Sequence, residues 1–75
     1  MPRHAWRPDP TADSAAPDVL AAYDAAGRKG RAPVDCYRAG VDAWLRTYPD
    51  QTRTYAARQA LEVILKTKSR IRELV

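Results

Sequence analysis

The chain has 75 residues, of which 45% are nominally hydrophobic, and its formal net charge is +4. This length allows one small domain, and a domain of this size buries only about 60% of the surface of its unfolded chain. A single cysteine excludes an internal disulfide, and one cysteine with one histidine excludes an ordinary zinc site built from this chain alone. We therefore expect a thin core that is stabilised by close helix packing or by a partner, either a second copy or another protein.

The first 16 residues are predicted to form an irregular arm that precedes a single helical domain, residues 17–75. The arm contains three of the six prolines, and proline fixes φ and pushes the preceding residue away from the helical region. Trp6 is its only large apolar residue besides Met1. No run in the whole chain reaches the apolar length of a membrane span or a signal-peptide core, so we expect a cytoplasmic protein that does not enter a membrane.

The first predicted helix covers about residues 17–27 and opens near Ser14 or Pro17, because proline is tolerated in the first turn of a helix. Apolar residues then follow at three-to-four spacing, namely Val19, Leu20, Tyr23 and Ala26. Gly27 and Gly30 are both predicted to end this helix.

The second predicted helix covers about residues 33–48, between Pro33 and Pro49. It carries the clearest amphipathic pattern in the chain, a stripe that we expect to face the core. The stripe consists of Val34, Tyr37, Val41, Trp44, Leu45 and Tyr48.

The third predicted helix covers about residues 53–72, with Thr52 or Asp50 as its cap. Basic residues occupy every second place from residue 66 to residue 72, a period typical of a strand or an extended tail. We favour a continuing helix, because no glycine or proline interrupts it. Its predicted apolar face consists of Ala57, Ala60, Ile64, Ile71 and Leu74, with Leu61 and Leu65 beside it. The three segments together predict an all-α fold, a small three-helix domain.

Side chains suited to catalysis are scarce and scattered. His4 lies in the arm, where a mobile imidazole could not hold a reacting group in register. Cys36 follows Asp35 in the first turn of the second helix, and a small half-buried apolar residue is the favoured interpretation. The acidic residues are spread singly and form no carboxylate pair. We expect no enzyme, no cofactor, no metal and no small-molecule substrate.

The positive charge is concentrated near the end of the chain, because residues 53–75 hold six cations and two anions whereas the preceding residues are balanced. Candidate contacts to nucleic acid or another anion lie on the third helix, at Arg53, Arg58, Lys66, Lys68, Arg70 and Arg72. A second set flanks the glycines after the first helix, at Arg28, Lys29 and Arg31. The competing interpretations are a solvated charged helix and cations that complement the dipole of the first helix.

Every aromatic residue is a tyrosine or a tryptophan and therefore carries a polar group, which suits a ring that is only partly buried. Tyr, Trp and Arg also dominate the binding energy of protein interfaces, although these rings are equally candidates for the core. The candidate partner contacts are Trp6, Tyr23, Tyr48 and Tyr55. The leading hypothesis is a small non-enzymatic binding module, an accessory subunit, adaptor or inhibitor of a larger macromolecule. The alternative is a nucleic-acid-binding protein that uses its basic third helix on phosphates.

Overall fold

A computed structural model of the chain describes residues 9–74, with the side chains of residues 9–69. A short 3₁₀ helix, Pro10–Ala12, is followed by α1 (Ala16–Arg28), α2 (Pro33–Thr47) and α3 (Arg53–Leu74). The described residues contain no strand, and the predicted all-α fold of three helices is confirmed. Each predicted helix boundary lies within two residues of the observed one, and α3 does continue through the basic run.

The end of α1 depends on one glycine rather than two. Gly30 has a φ of 77°, in the left-handed region that residues with a Cβ rarely adopt. The Gly30 N–H donates to the Gly27 carbonyl at 3.0 Å and the Arg31 N–H donates to the Ala26 carbonyl at 3.1 Å, which is the Schellman pattern of a helix C-terminus. The prediction that Gly27 helps to end the helix is wrong, because Gly27 lies inside α1.

The three helices meet at Gly40, near the middle of α2. A Cβ built on Gly40 would lie 3.1 Å from Cδ1 of Ile64 in α3 and 3.2 Å from Cγ1 of Val19 in α1. The missing side chain therefore lets all three helices approach closely. Val19 and Ile64 meet at Gly40, and further along both helices the Nζ of Lys68 lies 3.0 Å from Oδ1 of Asp24. From these two contacts α3 runs in the same direction as α1, and its second half lies beside the end of α1.

The core is built mostly from small side chains around that crossing. Its buried members are Ala15, Ala16, Val19, Val41, Ala43, Trp44, Ala56, Ala60, Val63 and Ile64. The stripe predicted on α2 mostly faces this core, because Val41 and Trp44 are buried and Tyr37, Leu45 and Tyr48 pack against it. Val34 is the exception, with 56% of its surface exposed, because it lies in the first turn of α2, almost two turns from the crossing.

The buried face of α3 includes every member of the predicted face whose side chain is described. Ala60 and Ile64 are buried and Ala57 packs against the core, and Ala56 and Val63 are buried with them. Leu61 and Leu65, predicted beside this face, are 36% and 53% exposed. The observed arc carries two alanines, which allow α3 to lie close to α1 and α2. Ile71 and Leu74, also predicted on the apolar face, have side chains outside the described part.

Residues 9–16, assigned to the arm from the sequence, already pack against the helices. Pro10 is buried in the 3₁₀ helix, and Ala15 and Ala16 belong to the core. The carboxylate of Asp9 accepts a hydrogen bond from the Thr11 N–H at 3.0 Å, which caps this turn. The packed part of the chain therefore includes Pro10, Ala15 and Ala16, which precede the predicted start of the domain at residue 17.

Candidate functional site

A groove of about 440 Å³ lies between the 3₁₀ helix, the end of α2 and the first half of α3. A short turn joins α2 to α3 beside the groove. Thr52 fixes the start of α3, because its Oγ1 accepts a hydrogen bond from the Tyr55 N–H at 3.1 Å. The groove is lined in part by Pro10, Asp13, Trp44, Tyr48, Tyr55 and Arg58.

The floor of the groove is a pair of aromatic rings whose polar groups are already satisfied. The rings of Trp44 and Tyr48 lie 5.4 Å apart between centroids, with their planes inclined at 43°. The Trp44 indole N–H donates to Oε1 of Gln51 at 2.7 Å. The Tyr48 hydroxyl lies 2.8 Å and 3.0 Å from the two carboxylate oxygens of Asp13 and donates its proton to them. These hydrogen bonds hold both rings in one orientation.

The bond to Asp13 also changes the acidity of Tyr48. Because the carboxylate accepts the phenol proton, it raises the pKa of Tyr48 above the ordinary value of 10.0, and partial burial of the ring raises it further. The ring therefore remains neutral at physiological pH and remains a hydrogen-bond donor to Asp13. The groove floor is an apolar surface with an anionic edge at Asp13.

The exposed side of α3 extends from this groove along the helix. We call Tyr55, Arg58, Leu61 and Leu65 the outer face. Tyr55 is 48% exposed and both leucines are exposed, and the spacing of three or four residues places the set on one side of the helix. Glu62 is engaged with Lys66 at 3.0 Å, and among residues 9–69 Arg58 has no acidic side chain within ion-pair distance.

Two of the four tyrosine and tryptophan candidates for partner contact are brought together by the fold. Tyr48 forms the groove floor and Tyr55 its rim. Tyr23 instead packs on Tyr37, with 5.2 Å between the ring centroids. The ammonium group of Lys68 lies 5.6 Å from the centroid of the Tyr23 ring. Burial, followed by the neighbouring Tyr37, raises the pKa of Tyr23. The ring is part of the contact between α1 and α2. Trp6 lies outside the described residues.

The basic candidates on α3 do not form one free stripe. Arg53 contacts Asp42 at 2.8 Å, Lys66 contacts Glu62 at 3.0 Å, and Lys68 contacts Asp24 at 3.0 Å. These ion pairs are exposed, so each contributes little to stability, but each lowers the local positive potential. Arg70 and Arg72 lie in the last turns of α3, with side chains outside the described part. Arg28, Lys29 and Arg31 are exposed near the turn after α1.

The remaining candidates for chemistry have structural surroundings. Cys36 is buried, more deeply than its predicted half-buried position, and its thiol lies 3.7 Å from the Arg31 carbonyl, to which it donates weakly. Within the described residues, no three His, Cys, Asp or Glu side chains come together as potential metal ligands. His4 lies outside the described residues. A second groove, of about 400 Å³, lies between α1 and α2. It is lined by small alanines, by three cations and by two anions, namely Lys29, Arg31, Arg38, Asp35 and Asp42.

Sequence reasoning missed several residues that shape the groove. Asp13 orients Tyr48 through a hydrogen bond between residues 35 apart in the chain, and Gln51 orients Trp44 across the turn after α2; neither contact has a local signal in the sequence. Leu61 and Leu65, predicted beside the buried face of α3, lie on the outer face instead. None of the helices in the described part combines the length and the apolar character that a membrane crossing requires. Comparison with protein-family models, with curated proteins and with solved structures finds no match.

Proposed function

We propose that this chain is a small non-enzymatic binding module that attaches to a larger protein as an accessory subunit, an adaptor or an inhibitor. The observation that carries the proposal is the outer face of α3. It leaves Tyr55, Leu61 and Leu65 exposed although the core beneath it is closed, with Val63 and Ile64 at most 1% exposed. The groove and the outer face together form the proposed contact surface.

The composition of this surface supports contact with a protein. Tyrosine and arginine are enriched among the residues that dominate binding energy, and Tyr55 and Arg58 adjoin each other at the groove rim. The floor rings are held by Asp13 and Gln51 before a partner arrives. Because the floor is already ordered, a partner would bind it without the entropic cost of fixing those side chains.

Charge and shape together favour one kind of partner segment. We propose an amphipathic helix of the larger protein, whose apolar residues lie against Leu61, Leu65 and the ring of Tyr55. Packing of an amphipathic helix on an apolar face is a common mode of recognition. Because Arg58 has no acidic partner among residues 9–69, a carboxylate of the incoming helix would pair with its guanidinium.

Site-specific photocrosslinking in the native cell tests this assignment. A photoreactive amino acid replaces Tyr55, and a matched chain carries it at Arg38, whose side chain is 70% exposed in the other groove. We expect a discrete adduct from position 55 that is absent from position 38 and absent when Leu65→Glu is added. The captured protein is then purified, and its affinity for the wild-type chain is measured.

Two outcomes would contradict the proposal. Equal adducts from positions 55 and 38 would indicate nonspecific contact rather than a defined surface. An adduct with twice the mass of the chain would mean that the outer face binds a second copy. In that case sedimentation would show a concentration-dependent dimer, and its melting temperature would rise with concentration.

A further inference from the structure

The fold brings both basic regions of the sequence to one end of the bundle. The end of α1, the turn after it and the start of α2 (residues 24–38) lie at the same end of the bundle as the last turns of α3 (residues 68–74), because Lys68 contacts Asp24 and α3 continues from there to Leu74. We call these two segments the basic end. They hold seven of the thirteen cationic residues and three of the nine anionic residues. The rest of the chain holds six of each, so the basic end carries the whole net charge of +4.

Three of these cations are exposed at closely spaced positions around a fixed turn. Arg28, Lys29 and Arg31 flank Gly30 and are all exposed to solvent. The Schellman hydrogen bonds hold the backbone of this turn. Two other cations of the basic end, Lys68 and Arg38, have acidic neighbours at 3.0 Å and 4.0 Å. Among residues 9–69, no acidic side chain lies within ion-pair distance of the three turn cations.

The dipole of α1 accounts for only part of this cluster. A helix C-terminus is complemented by a cation in its last turn, and Arg28 occupies that turn. Lys29 and Arg31 lie beyond the helix, and the turn itself requires only the glycine. The rest of the molecule has balanced charge, so the excess of cations belongs to this end and the protein is not generally basic.

We infer that the basic end binds the phosphodiester backbone of a nucleic acid. This inference goes beyond the proposed protein contact and uses a different surface. This end has little exposed apolar surface. Of the large exposed apolar residues in the described part, only Val34 lies here, and the other three, Tyr55, Leu61 and Leu65, lie on the outer face. Charge without exposed aromatic anchors suits phosphates better than the core of a protein interface, where charged residues as a group are depleted.

Nucleic-acid binding assays test the inference. Fluorescence anisotropy measures binding to a short double-stranded DNA and to a single-stranded RNA over a range of salt concentrations. The site variant combines Arg28→Gln, Lys29→Gln and Arg31→Gln. The control combines Arg46→Gln, Arg53→Gln and Arg58→Gln, which removes the same charge from positions outside the basic end. Helicity and melting temperature verify that both variants fold.

We expect the wild-type chain to bind at low salt with an affinity that falls steeply as salt rises. The site variant should bind roughly tenfold or more weakly, and its salt dependence should flatten by up to about 0.9 in slope for each phosphate that is no longer neutralised. The control should retain most of the wild-type affinity and slope. The DNA and RNA arms show which nucleic acid supplies the phosphates.

Three results would overturn the inference. The first is failure of the wild-type chain to bind either nucleic acid at low salt. Equal weakening by both variants would show that only the total charge matters. Competition by polyglutamate as effective as that by nucleic acid of equal charge would assign the basic end to acidic proteins. None of these results bears on the photocrosslinking at Tyr55, so the two proposals fail separately.

Discussion

The orientation of α3 makes a sharp prediction for two adjacent apolar residues, Ile64 and Leu65. Ile64 is 1% exposed at the helix crossing and Leu65 is 53% exposed on the outer face. Removing one methylene from a buried isoleucine costs about 0.5–1.5 kcal/mol. A chain of 75 residues has a total stability of roughly 4–11 kcal/mol, so Ile64→Val should lower it by a measurable part without unfolding the protein.

The matched change at the neighbouring position should be silent. Leu65→Ala removes more atoms, but they are exposed, and alanine is at least as good a helix former as leucine. We expect a change of less than about 0.5 kcal/mol. In thermal unfolding followed by circular dichroism, Ile64→Val should lower the melting temperature by roughly 2–12 °C. A larger loss for Leu65→Ala than for Ile64→Val would refute the orientation assigned to α3.

Three further predictions concern the glycines and the tyrosine of the groove floor. Gly27→Ala should stabilise the chain by up to about 1 kcal/mol, because no atom lies within 4 Å of its new Cβ. Gly40→Val should instead destabilise it by about 1–3 kcal/mol, because the new side chain crowds Ile64 and Val19. In denaturant titrations the two variants should change the free energy of unfolding in opposite directions. Gly30→Ala should destabilise by about 1–2 kcal/mol, because its φ is 77°, and no loss in the same titration would mean that the turn is not left-handed. Because the pKa of Tyr48 is raised, the folded chain retains the phenol proton at higher pH than the unfolded chain. The hydrogen bond to Asp13 therefore contributes fully to stability below about pH 10. This contribution is lost as the pH rises through the pKa of the folded chain. Tyr48→Phe should reduce the alkaline fall in the free energy of unfolding, and an unchanged pH profile would contradict the role of Asp13.

The helices could be predicted closely because their signals are local. Pro33 and Thr52 stand at helix starts, and the stripe on α2 has the helical period, so each signal is complete within a few residues. The boundary of the packed domain could not be predicted in the same way. Pro10 and Ala15 are buried by residues distant in sequence, and composition alone gives no sign of that contact.

The candidate site was predictable only in part, for a related reason. The sequence singled out Tyr48, Tyr55 and Arg58 by residue type, and the fold brings them to one groove. It also indicated the inward face of α3 through Ala57, Ala60 and Ile64, but it did not show how far Leu61 and Leu65, beside that face, are exposed. Close packing around Gly40 selects the arc with alanines, and this choice leaves Leu61 and Leu65 on the surface.

Both basic segments were recognised from the sequence, but their relation to each other depends on topology. Arg31 and Lys68 are far apart in the chain, and only the parallel arrangement of α1 and α3 brings their regions to one end. Three of the cations predicted as free charge on the third helix form ion pairs instead: Lys68 with Asp24, Arg53 with Asp42, and Lys66 with Glu62. The proposed anion site therefore lies at the end of the bundle rather than along the side of α3.

The affinity of the Leu65→Ala chain for the captured partner shows whether the outer face binds it, because this substitution separates binding from folding. We expect a melting temperature equal to that of the wild-type chain and an affinity reduced at least about tenfold, which corresponds to roughly 1.4 kcal/mol. Arg38→Ala, in the other groove, should leave the affinity within about twofold. An unchanged affinity for Leu65→Ala, in a chain that folds normally, would show that the outer face of α3 is not the binding surface.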